Sequence, residues 1–194
     1  MSGNLVVTEF ISLDGVIEDP VGMENTGLGN WTGPFERGPD GDRFKLDELV
    51  HASALLFGRR TYDAFATHWP KAKDAYADRI NSLPKYVVTS RGEVTWNNTI
   101  ILQSDIAAAI ARLKGQVDGD ILVYGSASIV HQLAPRGLID EYRLMIYPVV
   151  LGRGKKMLPD GYAAMLRTEE ARQLGGGIVL VRYTGKGESG SGRN

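Results

Sequence analysis

The stretch that most constrains this chain is residues 118–134, DGDILVYGSASIVHQLA. Its apolar run, 121–124, is short and rich in β-branched residues, which is typical of a strand buried on both faces. Gly125 and three small residues follow, and apolar residues then recur at helical spacing until Pro135. The order strand, glycine turn, helix predicts an α/β fold. Such a turn also lets backbone N–H groups approach a phosphate, although a plain tight turn in an α/β core gives the same pattern.

Two further predicted strand ends carry phosphate-binding chemistry. SALLF at 53–57 leads into GRRT at 58–61, and KYVVT at 85–89 leads into Ser90 and Arg91. Hydroxyl and guanidinium groups both suit phosphate oxygens. Ligands of parallel α/β sheets bind beyond the carboxyl ends of the strands. Three such ends in one chain therefore favour a multiply phosphorylated cofactor.

The order of predicted elements gives the fold class. Strands alternate with helices as far as residue 134, and strands dominate afterwards. This pattern predicts an α/β domain over 1–184 whose sheet is mostly parallel, with antiparallel strands at its C-terminal edge. The tail 185–194 is small, polar and Gly-rich, and we predict that it is disordered.

Composition excludes several classes of function. The net charge of −1 gives no electrostatic reason to expect nucleic acid or an acidic membrane surface as a partner. The absence of cysteine excludes disulfides and thiolate zinc sites, and three scattered histidines predict no metal site. No signal peptide or long apolar run is visible, so we expect a soluble, cytoplasmic protein.

One long Gly- and Pro-rich segment, 18–41, precedes a helix predicted over 42–52. A loop of this length is usually functional or mobile, so the segment is a candidate lid over a pocket. Trp31 within it could cover a heterocycle or could simply fix the loop to the core. Asp42 would lie at the start of the helix, where a carboxylate is favoured as N-cap or first-turn residue.

With these segments in order, the chain resembles the dihydrofolate reductase-like family, and within it the reductase domain of bacterial riboflavin biosynthesis. The resemblance implies a three-layer sandwich and a stand-alone member, since no zinc motif of an accompanying deaminase is present. VLGRGKKML is the part most specific to the riboflavin branch. The matching segments are SLDGVI (12–17), FGRRTY (57–62), YVVTSR (86–91), ILVYGSASIVHQL (121–133) and IDEYRLMIYPVVLGRGKKML (139–158).

The resemblance also implies NADPH as cofactor, because the phosphate-binding turns match the family's nucleotide site. By similarity, the adenosine-side phosphates would meet Gly58, Arg59 and Thr61, and the ribose 2′-phosphate would lie near Ser90 and Arg91. The pyrophosphate would be held by Gly125, Ser126, Ala127 and Ser128, and Ile17 would lie beside the nicotinamide. An Arg partner for the 2′-phosphate would favour NADPH over NADH.

The substrate side leaves several carboxylates open. Counting back ungapped from Gly58 puts Asp42 in the slot of the pterin-binding carboxylate, with a helix N-cap as the alternative. One small gap would put Asp47 or Glu48 there instead, and for these two a solvated helix face is the alternative. Asp14, in the shared SLDG element, is the other candidate proton donor, with a turn-forming Asp-Gly as the alternative. The candidates for substrate contacts are Glu9, Trp31, Asp47 and Tyr124.

We therefore expect an NADPH-dependent reductase that transfers a hydride to a small pterin-like or riboflavin-precursor-like heterocycle, or to a carbonyl compound. The alternative is a catalytically inactive NADP(H)- or nucleotide-binding, regulatory protein of the same fold. The alternating strand predicted at 139–147 has two largely apolar faces, and in the riboflavin branch this region is associated with dimers. On that ground we expect a homodimer.

Overall fold

The computed structural model describes residues 2–103 and 105–185. These residues form eight strands and five α-helices, with short 3₁₀ turns after α2, after α5 and between the last two strands. The strands are β1 (Leu5–Ser12), β2 (Ala52–Gly58), β3 (Lys85–Val88), β4 (Thr99–Leu102), β5 (Asp120–Tyr124), β6 (Glu141–Tyr147), β7 (Leu166–Gln173) and β8 (Val179–Gly185). The helices are α1 (Gly38–His51), α2 (Arg59–His68), α3 (Ala75–Ser82), α4 (Ile106–Lys114) and α5 (Ala127–Leu133).

All eight strands belong to one sheet, in the order β4-β3-β2-β5-β1-β6-β8-β7. The six strands from β4 to β6 run parallel to their neighbours, whereas β8 is antiparallel to β6 and β7 is antiparallel to β8. The prediction of a mostly parallel sheet with an antiparallel C-terminal edge is confirmed.

Strand β5 shows why the sheet is covered on both faces. Ile121 and Val123 belong to a core cluster with side chains of α4 and α5. Leu122 and Tyr124 belong to a second cluster, with side chains of α1, α2 and α3. Because successive side chains of a strand point to opposite faces, an unbroken apolar run requires helices on both. The result is the predicted three-layer arrangement.

Helix α1 begins earlier than the sequence pattern predicted. It starts at Gly38 instead of residue 42, with Pro39 in its first turn and Arg37 at the N-cap position. Proline is suited to the first turn because its φ is already helical and its missing N–H has no partner there in any case. The prediction that Asp42 begins the helix was therefore wrong, and Asp42 lies within it.

Both faces of β6 are covered within the chain. Tyr142 and Leu144 pack in the cluster with α4 and α5, and Met145 and Tyr147 pack in a third cluster with Trp31. None of the large apolar side chains that are exposed among the described residues belongs to β6; two of them, Met165 and Leu166, lie at the edge strand β7 or just before it. An uncovered apolar face of β6 was the reason to expect a homodimer, and the structure does not show such a face. The homodimer stays a prediction, which light scattering would test.

The described chain ends with β8 at Gly185, so the predicted tail lies, apart from that residue, outside the described residues. Within the residues that the structure covers, no helix is long and apolar enough to span a membrane.

Candidate functional site

The sheet opens at the point where β5 ends and β1 continues. The pairing of β1 with β5 stops at Thr8 and Tyr124, while β1 runs on beside β6 as far as Ser12. A cavity of about 630 Å³ lies at this opening. Its wall includes Thr8, Glu9, Phe10, Ile17, Glu24, Lys45, Thr61, Trp69, Tyr76, Tyr124 and Gly125. The cavity therefore lies at the carboxyl end of the central strands, where ligands of such sheets bind.

Two glycine turns meet beside this cavity. The Gly58 N–H donates to Ser126 Oγ at 2.6 Å, and a Cβ on Gly58 would come within 3.0 Å of the same oxygen. A Cβ on Gly125 would come within 2.7 Å of Thr61 Oγ1, and Gly125 has a φ of +55°. Only glycine fits these positions without displacement of a neighbour. The structure thus brings together Gly58, Thr61, Gly125 and Ser126, four of the predicted cofactor residues.

The other predicted cofactor residues at the N-termini of α2 and α5 differ in their exposure and in their contacts within the protein. Ala127 is buried and Ser128 exposed at the start of α5. The Arg59 guanidinium pairs with Asp63 at 2.9 Å and donates to the Glu93 carbonyl at 2.7 Å. It is therefore engaged along its own helix and the neighbouring loop.

Ser90 and Arg91 follow β3 after Thr89, and β3 lies next to β2 in the sheet. Both are exposed, and the Arg91 backbone N–H donates to Thr89 Oγ1 at 3.0 Å. Within the described part of the chain, the Arg91 guanidinium has no ion pair that would hold it. The end of β3 therefore offers a free cation on the same edge of the sheet as the glycine turns.

The loop before α1 contacts Thr61, one of the predicted cofactor residues. Glu24 accepts a hydrogen bond from Thr61 Oγ1 at 2.7 Å, and burial raises the pKa of the Glu24 carboxyl. Asp19 is buried and holds the loop together, because its carboxylate accepts from the backbone N–H groups of Glu24 and Thr26. The Thr61 hydroxyl, which the family resemblance assigns to a phosphate, therefore donates its hydrogen bond to the Glu24 carboxyl in this structure.

Glu9 is a buried acid in the cavity wall. It is 4% exposed, and its Oε1 has no hydrogen-bond partner among the described residues. Burial raises the pKa of Glu9 well above its usual value, although the Lys45 ammonium and the Gly125 backbone amide act in the opposite direction. The burial of Glu9 therefore favours its protonated form, which can donate a hydrogen bond.

Two charged residues of α1 are buried: Lys45, which the sequence reasoning missed, and Glu48, which it named as a possible pterin-binding carboxylate but expected on a solvated helix face. Lys45 Nζ lies 2.6 Å from Glu48 Oε2 and 2.7 Å from Thr8 Oγ1. Their spacing carried a signal, since Lys45, Glu48 and Leu49 lie at helical i, i+3, i+4 positions and so share the buried face. Because charged residues on helices are mostly exposed, this spacing alone did not predict that Lys45 and Glu48 are buried.

The two predicted catalytic carboxylates lie in different settings. Asp42 is in the cavity wall, but its side chain is 66% exposed and pairs with Arg37 at 2.6 Å. Asp14 is not in the wall. It accepts from Ser12 Oγ at 2.7 Å and from the backbone N–H groups of Leu151 and Gly152, and these bonds lower its pKa to about 2.

Of the three other predicted substrate contacts, one lies in the cavity wall and two lie outside it. Tyr124 lies in the cavity wall, with its hydroxyl 3.2 Å from that of Tyr76, and burial raises its pKa. Trp31 lies outside the wall: its Nε1 donates to the Glu18 carbonyl and its ring packs edge-on against Tyr147. Asp47 is exposed on α1 and is also not in the wall. The structure thus brings Glu9 and Tyr124 together and leaves Trp31 and Asp47 apart.

A sequence model described as the RibD C-terminal domain matches residues 4–180. The chain belongs to the RibD C-terminal domain family. YyaP of Bacillus subtilis strain 168 is 31% identical over 150 residues, which cover 74% of this chain and 80% of that protein. YwjB of the same strain is 27% identical over 182 residues, or 93% of this chain and 97% of that protein. Both relatives are described as uncharacterized.

Solved structures show that the fold is that of dihydrofolate reductase. A protein of Shewanella sp. PV-4, provisionally assigned to riboflavin biosynthesis, has a TM-score of 0.77 and 19% identity, covering 96% of this chain and all of the other. Dihydrofolate reductase from Enterococcus faecalis, complexed with NADP(H), has a TM-score of 0.66 and 13% identity, covering 96% and 99%. RibD of Acinetobacter baumannii has a TM-score of 0.68 and 14% identity, and 59% of its chain is covered. The resemblance inferred from the motifs is confirmed.

Proposed function

We propose that this chain is an NADPH-dependent reductase whose substrate is a small planar heterocycle or carbonyl compound bound in the cavity. The observation that carries the proposal is the close approach of the 58–61 and 125–126 turns beside the cavity. A side chain on either glycine would meet the opposite turn, so the glycines let the N-termini of α2 and α5 come together beside the cavity, where first-turn N–H groups can bind a phosphate. The dihydrofolate reductase fold of the chain agrees with this assignment.

The residues present fit NADPH. We assign the phosphates to Gly58, Arg59, Thr61 and the Gly125–Ser128 turn, the 2′-phosphate to Ser90 and Arg91, and the nicotinamide side to Ile17. Arg91 is exposed without an ion pair among the described residues, so it can pair with a phosphate dianion. Thr61 must exchange its bond to Glu24 for a ligand oxygen. Bound NADPH would supply the hydride.

The chain's own part in the reaction would be orientation, a dry pocket and a proton. Rings of Phe10, Phe65, Trp69 and Tyr124 line the cavity and exclude water from the reacting atoms. Glu9 is the buried acid of the wall whose pKa burial raises most clearly, which favours its protonated form. We therefore assign the proton to Glu9. Asp14, with a pKa lowered to about 2, is ionised, and Asp42 is paired with Arg37 at the exposed rim.

The test is a titration with NADPH, followed by cofactor fluorescence, for wild type, Gly125→Ala and Gly137→Ala. Both glycines have positive φ, +55° and +64°, so both substitutions strain the backbone. Only the Gly125 Cβ meets an atom within 4 Å. We expect Gly125→Ala to weaken NADPH binding about tenfold or more, equivalent to about 1.4 kcal/mol, while Gly137→Ala binds like wild type. Equal binding by all three proteins would contradict the placement of the phosphates.

The second candidate is a nucleotide-binding protein without turnover. The observation that favours it is the position of Asp42, which is exposed and ion-paired instead of free within the cavity. The two candidates agree on NADPH binding and differ in chemistry. NADPH oxidation with any planar heterocycle or carbonyl compound, lost in Glu9→Gln, would exclude the second candidate.

A further inference from the structure

An acidic loop between β1 and α1 reaches the first turn of α2. We call residues 18–32 the strap; they include three carboxylates and no lysine or arginine. The base of the strap is closed, because Trp31 Nε1 donates to the Glu18 carbonyl at 2.9 Å and the Thr32 N–H donates to the Pro20 carbonyl at 3.1 Å. The strap is therefore a compact acidic loop whose two ends are tied to each other.

Two carboxylates of the strap bind the first turn of α2. Glu18 Oε1 lies 2.8 Å from Arg60 Nη1, and Glu24 Oε1 accepts from Thr61 Oγ1 at 2.7 Å. Among the described residues, no side chain caps the N-terminus of α2. The positive end of the helix dipole favours an anion at this end, and phosphates commonly bind there. The protein's own carboxylates therefore lie where a helix of this kind would bind a phosphate.

Asp19 fixes the position of Glu24. Asp19 is 1% exposed, and its Oδ1 accepts from the Glu24 N–H at 2.8 Å. Its Oδ2 accepts from the N–H and from Oγ1 of Thr26, each at 3.0 Å. The contact between Glu24 and Thr61 is therefore supported by a buried set of hydrogen bonds within the strap.

Glu24 and a cofactor phosphate compete for Thr61. A hydroxyl has one proton to donate, and Thr61 donates it to Glu24 in this structure. The same hydroxyl lies 2.7 Å from the position of a Cβ on Gly125, so the contact is made where the two glycine turns meet. An ionised Glu24 would also repel a phosphate bound beside it. Binding of a phosphate at this point therefore requires that the Glu24 side chain leave.

We propose that the strap is an autoinhibitory element: in the ligand-free protein Glu24 occupies the place of a phosphate oxygen at the start of α2, and NADPH binds by displacing it. This proposal rests on the proposed reductase function and adds a regulation of its cofactor site. The affinity for NADPH is lowered by the fraction of molecules in which Glu24 covers the site. Removing the carboxylate should therefore strengthen binding, the reverse of what the loss of a binding residue does.

The first test measures affinity. NADPH and inorganic pyrophosphate are titrated by calorimetry against wild type, Glu24→Ala, Glu24→Gln and Glu36→Ala. We expect Glu24→Ala to bind both probes about tenfold more tightly or better, the range of one hydrogen bond to a charged group. Glu24→Gln keeps an acceptor for Thr61 without the charge and should lie between Glu24→Ala and wild type. The matched control Glu36→Ala removes an exposed glutamate outside the cavity wall and should bind like wild type.

The second test measures displacement directly, with a protease that cleaves after glutamate. In the ligand-free wild type, the Glu24 side chain is half-buried and hydrogen-bonded to Thr61, which protects the bond that follows it. We expect saturating NADPH to raise the rate of cleavage after Glu24 about threefold or more, because cleavage follows the population of the open form. Cleavage after the exposed Glu36, resolved by fragment mass, should not change and provides the control within the same chain.

The proposal would be overturned by an unchanged or weaker affinity of Glu24→Ala, or by NADPH that fails to raise cleavage after Glu24. Equal NADPH binding by all four proteins would refute the strap and leave the reductase standing. If none of them binds NADPH, the reductase is refuted and pyrophosphate decides the rest. Tighter pyrophosphate binding by Glu24→Ala would then support an anion site covered by the strap, whereas no binding of either probe would refute both proposals.

Discussion

At the scale of single residues, burial decides which acid can hold a proton. Glu9, Asp14 and Asp42 are all carboxylic acids near the opening of the sheet, but their surroundings differ. Burial raises the pKa of Glu9, whereas a hydroxyl and two backbone amides lower that of Asp14 to about 2. Asp42 is exposed and paired with Arg37. The candidate proton donor therefore follows from environment and not from motif position.

The raised pKa of Glu9 predicts a pH dependence of stability. The folded state binds the Glu9 proton more tightly than the unfolded state, so the free energy of unfolding should fall as pH rises from about 4.5 through the raised pKa. The loss is about 1.4 kcal/mol for each unit of the shift. Glu9→Gln should lack this slope. Urea unfolding of both proteins across pH 4 to 9, with the exposed Glu36→Gln as control, measures the difference; parallel curves for Glu9→Gln and wild type would contradict it.

Sequence reasoning reached some of these residues and missed others for physical reasons. The glycine turns were found because a strand, a glycine and a helix are local features. The sequence did not decide whether the Glu9 side chain lies in a pocket or on an exposed face, because the residue pattern along β1 does not show where the neighbouring strand β5 ends. Lys45 was missed, and Glu48 was expected on a solvated face, because charged helical residues are ordinarily exposed. The contact of Thr61 with Glu24 joins residues far apart in sequence, which no local pattern predicts.

At the scale of elements, helix α1 and the loops around β1 position the cavity. Pro39 sets the start of α1 four residues before the predicted start, which places Lys45 against Thr8. Asp14 connects the end of β1 to the loop after β6 through its bonds to the Leu151 and Gly152 amides. Its role in the structure is therefore to fix one loop against another.

For Asp14 we predict a stabilising effect that disappears in acid. Its folded pKa is depressed, so its contribution is complete above the unfolded value of 3.8 and is lost as pH falls towards 2. Asp14→Asn should lower the melting temperature at pH 7, and the gap to wild type should narrow between about pH 4 and pH 2. Asp47→Asn, an exposed aspartate outside the cavity, serves as control. A gap independent of pH would show that the ionised carboxylate does not stabilise the loop.

At the scale of the whole molecule, the fold and the cavity have one origin. The parallel strands place their carboxyl ends on one edge of the sheet, and the early end of β5 opens the cavity there. The alternation of strands and helices sufficed to predict this architecture, because it depends on apolar runs and turn residues. The edge strands β7 and β8 were likewise predicted as a hairpin. What the cavity selects depends on side chains from α1, β1 and the loop, which meet only in the folded chain.

The central claim is that this edge of the sheet binds NADPH. The most direct measurement is a fluorescence titration with NADPH and NADH of wild type, Arg91→Ala and the control Arg167→Ala, which changes an exposed arginine on β7 at the opposite side of the sheet. We predict that wild type and Arg167→Ala bind NADPH at least about tenfold more tightly than NADH, and that Arg91→Ala removes the difference by weakening NADPH alone. Failure of either nucleotide to bind wild type would contradict the account and leave a shared fold without a shared cofactor.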